Sequence, residues 1–192
     1  MSNLEIRPCA LPGVHTVHRG AHADDRGYFE RLFCADTLRE AGWTGPIAHV
    51  NHSLTIHPGT VRGMHMQLAP HAEMKLVMCL RGELWDVAVD MRKGSPTFLQ
   101  WHAEKLSATN GVALLVPEGF AHGFQALAPD TELVYCNTRA YAPGAEAGLH
   151  PLDPRVGISW PLPVRNMSPK DAERAFLDEA FMGYDIPVKN AG

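Results

Sequence analysis

The chain has 192 residues, 45% of them apolar and 20% charged, with a formal net charge of −4. That is enough for one domain with a substantial core, and the lack of any Lys/Arg run excludes the concentrated basic footprint that a nucleic acid or an anionic membrane surface requires. The four cysteines, Cys9, Cys34, Cys79 and Cys136, stand far apart without a C-x-x-C pair, which argues against a zinc knuckle or a dithiol redox site and reads as reduced core thiols.

The first residues show no basic stretch leading into an apolar run, and no later run is long enough to span a bilayer, so a cytoplasmic protein is expected. Residues 1–20 hold two early prolines, which predicts an irregular start followed by a strand over residues 14–18. Asp24-Asp25-Arg26-Gly27-Tyr28-Phe29 is a turn signal running into aromatic strand residues up to Cys34. Asp36 to Gly42 then has a cap candidate and a terminating glycine around a short helix.

From Ile47 to Thr138 the pattern is almost wholly β. Strands are expected over residues 47–56, 60–67, 74–80, 83–90, 97–107, 112–116, 121–127 and 131–139, separated by Gly-, Pro- and Asn-containing turns. So many short strands at near-regular spacing predict an all-β sandwich or barrel, because such a chain has to hide its edges. Alternation in residues 83–90 puts Trp85, Val87 and Val89 on one face and Asp86 on the other, where a pocket can form. After Tyr141 five prolines mark an extended, wrapped segment. It leads to Ser168-Pro169, a capping serine with proline at the first helical position, opening a helix to about Met182 with Asp171 in its first turn.

The functional signal centres on Arg62, His65 and Lys75, charges set into strand-like apolar sequence where each is costly without a partner or substrate. A metal-binding reading would use His65, Gln67, Glu73 and His122. Glutamine stands where the second histidine should be, and a neutral amide is a poor ligand for a borderline cation. Proton transfer beside a carbonyl fits better. His65 is the candidate base, Lys75 the donor for an enolate oxygen, and Tyr135 the candidate acid on the opposite face. Asp171 is at this point better read as a charge complementing its helix. Motifs for serine nucleophiles, P-loops and dinucleotide binding are missing.

Several stretches occur in a familiar order: Asp25-Arg26-Gly27-x-Phe29, Asn51-His52-Ser53, Arg62-Gly63-Met64-His65-Met66-Gln67, Lys75-Leu76-Val77, Asp86-Val87-x-Val89-Asp90, Ser95-Pro96-Thr97-Phe98, Pro117-x-Gly119-Phe120-Ala121-His122-Gly123, Tyr141-x-Pro143, Ile158-x-Trp160-Pro161 and Ser168-x-Lys170-Asp171. In these the chain resembles the dTDP-4-dehydrorhamnose 3,5-epimerase family over roughly residues 20–175. The resemblance implies a cupin-type jelly roll with short peripheral helices, its core at about 20–140 and its wrapped segment and helix at 141–192. It implies no metal and no cofactor, and a homodimer in which a strand near the N-terminus crosses to the partner.

The implied reaction inverts C3 and C5 of a 4-keto-6-deoxyhexose carried on a nucleoside diphosphate. By position, His65 resembles the base and Asp171 the carboxylate that holds its tautomer, which displaces the helix-decoration reading. Lys75 would stabilise the enolate, Tyr135 would be the acid, and Asp86 would orient Lys75. Arg26 and Arg62 match diphosphate contacts, Phe29 and Tyr141 would flank the nucleobase or the sugar, and Asn51, Gln67 and His122 would line the pocket. Two places depart from the family pattern: Arg31 stands where a glutamate is usual and His49 where a glutamine is. A 3-only or 5-only epimerase of another nucleotide-linked keto-sugar is the nearest alternative reading. A metal-dependent cupin oxygenase and a non-catalytic sugar-binding module are the readings from other classes.

Overall fold

The computed structural model describes residues 4–186. The last residues of the expected wrapped segment, 187–192, lie outside the described residues. Two antiparallel sheets carry the fold. The larger has the order β1 (Leu4–Pro8), β2 (His15–Arg19), β10 (Val112–Val116), β7 (Lys75–Arg81), β12 (Thr131–Asn137), β5 (His49–Thr55). The smaller has the order β13 (Glu146–Gly148), β6 (Val61–Gln67), β11 (Phe120–Ala126), β8 (Glu83–Asp90), β9 (Trp101–Ser107). A separate hairpin joins β3 (Ala21–Asp24) to β4 (Gly27–Glu30).

The two sheets face one another across an apolar core. Val77, Cys79, Leu114 and Leu133 from the larger sheet meet Leu84, Ala88, Leu106, Phe120 and Phe124 from the smaller. Alternation explains the layering, since residues two apart on a strand share a face. On β7, Val77 and Cys79 point into this core, whereas Leu76 and Met78 join Leu38, Ala41 and Trp43 on the outer side. The wrapped C-terminal segment covers the outer face of the smaller sheet, where Leu149, Trp160, Leu177, Phe181 and Tyr184 pack on Val87, Val89 and Met91. This is the cupin-type jelly roll expected from the sequence, and all eight strands of the central region form.

The differences lie at the periphery. The start is not irregular: Leu4–Pro8 pairs with β2 as an edge strand, where a proline costs no ladder bond at its outer side. Aromatic strand structure after the first turn ends at Glu30 rather than Cys34. Helix α1 (Ala35–Arg39) is capped at Cys34 rather than Asp36, with no side-chain cap bond. Strand β9 begins at Trp101 rather than at 97, because Asp90 gathers the Ser95 and Thr97 hydroxyls and residues 96–99 turn back on it. Helix α2 spans only Pro169–Ala172 and does not run to Met182. Beyond it the backbone N–H of Leu177 is taken by the buried carboxylate of Asp153 at 2.6 Å, and Leu177 is drawn onto the outer core, which a continuing helix would prevent. Among the described residues no helix is long and apolar enough to cross a membrane.

Candidate active site

The strands bring the singled-out side chains to one end of the roll. His65 on β6 lies opposite His122 on β11, and Tyr135 on β12 lies between Val77 on β7 and Asn51 on β5. Asn137 pairs with Lys75, so the lysine and the tyrosine project from neighbouring strands two residues apart in register. A cavity of ≈ 460 Å³ opens there, lined by His65, Lys75, Tyr135, His122, Arg62 and Asp171, with Val61, Phe124, Leu133 and Met167 supplying apolar wall. A second cavity of ≈ 370 Å³ shares His65, Lys75 and Tyr135 and is bounded by Asn51, Gln67, Glu73, Tyr141 and Glu146. The three shared residues form the partition between two lobes of one trough.

Asp171 reaches this trough from α2. Ser168 caps that turn, accepting the Asp171 N–H at 3.2 Å, and Pro169 fixes the first helical residue. Asp171 is 2% exposed, and its Oδ1 lies 2.5 Å from His65 Nε2. Its Oδ2 accepts the Gly63 N–H at 3.4 Å. Burial works to raise the Asp171 carboxyl, but the His65 imidazole and these local donors outweigh it and hold the group below its ordinary value. An ionised carboxylate on Nε2 fixes the proton there and leaves Nδ1 with its lone pair.

Lys75 is 8% exposed and its Nζ donates to the His65 carbonyl at 3.2 Å. Its ionic partner is Glu73, at 3.3 Å. The expectation that Asp86 orients Lys75 is therefore corrected. Asp86 is fully buried on β8, across from β11, and its Oδ1 bonds His122 Nε2 at 2.8 Å. The phenol of Tyr135 is pushed above its ordinary value by burial first and by the Glu73 charge second, with Arg62 opposing.

Gln67 lines the second lobe, yet its amide is already engaged. Nε2 donates to the His71 and Ala140 carbonyls and to Glu73, and Oε1 accepts the Ala142 N–H. It ties the start of the wrapped segment to the sheet. Asn51 Nδ2 donates to Asn137 Oδ1 at 3.3 Å. Arg62 is braced against β5 through Thr55 Oγ1 and the Leu54 carbonyl, which leaves other guanidinium donors available to the cavity. Among the described residues no three His, Cys, Asp or Glu side chains gather in a way that would hold a metal ion.

Two expected residues are not brought to the trough. Arg26 and Phe29 sit on the exposed β3–β4 hairpin, around a separate depression, with Arg26 folded onto Asp24. Tyr141 does reach the second lobe, where its hydroxyl donates to Glu146 at 2.7 Å. Glu146 escaped the sequence reading. It also pairs with Lys170 at 2.6 Å and Arg174 at 3.4 Å, joining β13 to the α2 segment. Glu73 was considered only as a metal ligand, although its spacing of two from Lys75 in extended chain signals a shared face.

A jelly roll whose trough holds a histidine–carboxylate pair, a buried lysine and a tyrosine has the groups that proton transfer on a polar substrate requires. A family model described as dTDP-4-dehydrorhamnose 3,5-epimerase matches residues 8–179. The chain belongs to the dTDP-4-dehydrorhamnose 3,5-epimerase family and is a carbohydrate epimerase. It is 45% identical over 180 residues to the dTDP-4-dehydrorhamnose 3,5-epimerase of Sinorhizobium fredii, covering 93% of this chain and 92% of that one. It is also 36% identical over 178 residues to the dTDP-4-dehydrorhamnose 3-epimerase of Streptomyces niveus, covering 92% of this chain and 86% of the relative. A crystal structure of dTDP-6-deoxy-D-glucose-3,5-epimerase from Legionella pneumophila in complex with dTDP-4-keto-L-rhamnose superposes with a TM-score of 0.89 at 35% identity, covering 97% of this chain and all of that one.

Proposed function

We propose that the enzyme converts dTDP-4-dehydro-6-deoxyglucose to dTDP-4-dehydrorhamnose, with His65 as base, Asp171 as its partner, Lys75 as enolate stabiliser and Tyr135 as acid. The observation that carries this reading is the His65–Asp171 contact of 2.5 Å at the wall of a cavity also lined by Lys75 and Tyr135. C3 and C5 flank the C4 ketone, so each bears an acidified hydrogen. His65 Nδ1 takes that proton, the C–H electron pair moves to the C4 oxygen, and the Lys75 ammonium meets the developing oxyanion. The Tyr135 O–H then delivers a proton to the other face of the same carbon. Imidazolium and phenolate are reset by proton exchange before the second carbon reacts.

The sugar belongs at the partition, where His65, Lys75 and Tyr135 line both lobes, with Tyr141 bounding it on one side and the diphosphate running into the larger lobe that Arg62 lines. Arg62 serves the diphosphate as a planar, multi-donor cation. Asn51, Gln67 and His122 shape the walls, with Asp86 fixing the His122 ring.

Arg26 and Phe29 act in this scheme on the trough of a second copy. Support comes from the hairpin that carries them, where Tyr28 and Phe29 are 68% and 64% exposed. It comes also from β5, an open sheet edge whose outer face presents Val50, Leu54 and Ile56 beside Leu80, a patch that a homodimer would cover. Four free thiols suit the reducing cytoplasm. Incubation with dTDP-4-keto-6-deoxyglucose in D2O tests the reaction: deuterium is expected at C3 and C5. Label at C3 alone selects the narrower 3-epimerase, and label at neither carbon overturns the reading.

A further inference from the structure

Glu73 has no part in the reaction as described so far, yet its surroundings single it out. Its side chain is 8% exposed and that of Lys75 10%. Oε1 faces Lys75 Nζ at 3.3 Å, while Oε2 accepts from Gln67 Nε2 at 3.1 Å and from Asn137 Nδ2 at 3.0 Å. Every contact is with a donor, the set that an acceptor-only carboxylate satisfies. The two amides are held in turn: Gln67 is anchored to the wrapped segment and Asn137 is hydrogen-bonded to Asn51. A carboxylate so braced is fixed in position, and it fixes whatever it pairs with.

We propose that Glu73 is a positioning residue for the epimerisation, holding the Lys75 ammonium charged and aimed at the enolate oxygen. The proposal rests on the role given above to Lys75. A nearly buried ammonium without a counter-charge tends to lose its proton, and a neutral lysine is a much weaker oxyanion stabiliser. The carboxylate weakens the field at the enolate somewhat, but it secures the charge that makes any field. The same charge reaches Tyr135 across the second lobe, where it disfavours a phenolate and adds to the effect of burial. The other charged and titratable groups around the trough are Arg62, His49, the His65–Asp171 and His122–Asp86 pairs, and Glu146 with Tyr141, Lys170 and Arg174. They stand on other elements and remain in a Glu73 variant.

Glu73→Gln removes the charge and keeps the shape. Its kcat is expected to fall about tenfold to a hundredfold with KM nearly unchanged, short of or at the lower edge of the roughly 10²–10³ lost with an oxyanion donor itself. The high-pH limb of kcat should move down, since loss of the anion removes one of the two causes that hold the Tyr135 phenol up. In D2O, deuterium exchange and inversion should fall together, because both pass through the enolate that Lys75 stabilises. An unchanged kcat and limb, or a rise in KM alone, overturns the proposal. If Glu73→Gln melts early, Glu73→Asp, which withdraws the charge by one methylene, takes the same measurements, and an unmoved limb there overturns it too. Wild-type enzyme that exchanges neither carbon strikes the reaction as a whole, whereas an active wild type with an indifferent Glu73→Gln strikes only this assignment.

Discussion

His65 Nε2 and Asp171 Oδ1 meet at 2.5 Å although 106 residues separate them in the chain. Replacing Asp171 by Asn retains the shape but removes the preference for a proton on Nε2, so Nδ1 is no longer reliably the basic nitrogen. We expect kcat to fall by about 10²–10⁴-fold, the range for a lost or mis-tautomerised base, with KM changed far less. Steady-state kinetics check this. The pair also marks the stability curve. The folded-state Asp171 carboxyl lies below its ordinary 3.8, so its contribution is present above that pH and is lost as the pH falls through the lower folded value. Thermal melts of Asp171→Asn against wild type should differ most near neutrality and converge in acid.

Tyr135→Phe separates the two halves of each inversion. Burial first and the Glu73 charge second keep this phenol above its ordinary 10.0, so in the wild type it is a proton donor throughout the neutral range. Without the hydroxyl, His65 still removes and returns protons on its own face. Deuterium from D2O should therefore enter the substrate while inversion is largely lost, as read by NMR of the recovered sugar. Loss of both exchange and inversion to the same degree contradicts the acid assignment.

Arg62 is expected to act on binding. It is held by Thr55 and the Leu54 carbonyl at 3.1 Å each. Arg62→Lys keeps a charge and loses the planar fork, and KM should rise by about tenfold, the equivalent of roughly 1.4 kcal/mol, with kcat within a few-fold. Initial rates at several ionic strengths should show the wild-type kcat/KM falling with added salt more steeply than that of Arg62→Ala.

Mixed dimers test the origin of Arg26. Arg26→Ala and His65→Ala enzymes should each be nearly inactive at low substrate concentration. Co-refolding them creates heterodimers in which one trough has an intact base and receives an intact hairpin from the other chain. Activity should recover to about a quarter of wild type if chains assort at random in a two-fold dimer. No recovery in a sample shown to be mixed refutes the exchange of hairpins. Leu54→Lys on the outer face of β5 should shift the species seen by light scattering toward monomer.

Strand positions were legible because a short run rich in apolar and β-forming side chains, bounded by turn residues, is a local signal: β7 and β8 can be read from seven or eight residues each. The trough was legible in part for the same reason, since an arginine, a histidine and a lysine inside such strands advertise a cost. What could not be read was pairing. Whether Asp86 serves Lys75 or His122 depends on which strands are neighbours, and the register of β8 with β11 decides it. Asp171 carried no local mark of function either, because a carboxylate in a first helical turn has a sufficient explanation there. The premature end of α2 was hidden for a related reason: its cause, Asp153, lies 24 residues before the backbone group it captures.

The wrapped segment that seals the outer face of the smaller sheet is also the segment that delivers Asp171, through one short turn anchored by Ser168, Lys170 and Arg174. Sealing and delivery are thereby made one event. Mild heat or denaturant that loosens this strap will take the carboxylate from the imidazole while the two sheets remain paired. The enzyme should inactivate before it melts, so residual activity would track the attachment of a peripheral strap, and far-ultraviolet dichroism the survival of the roll.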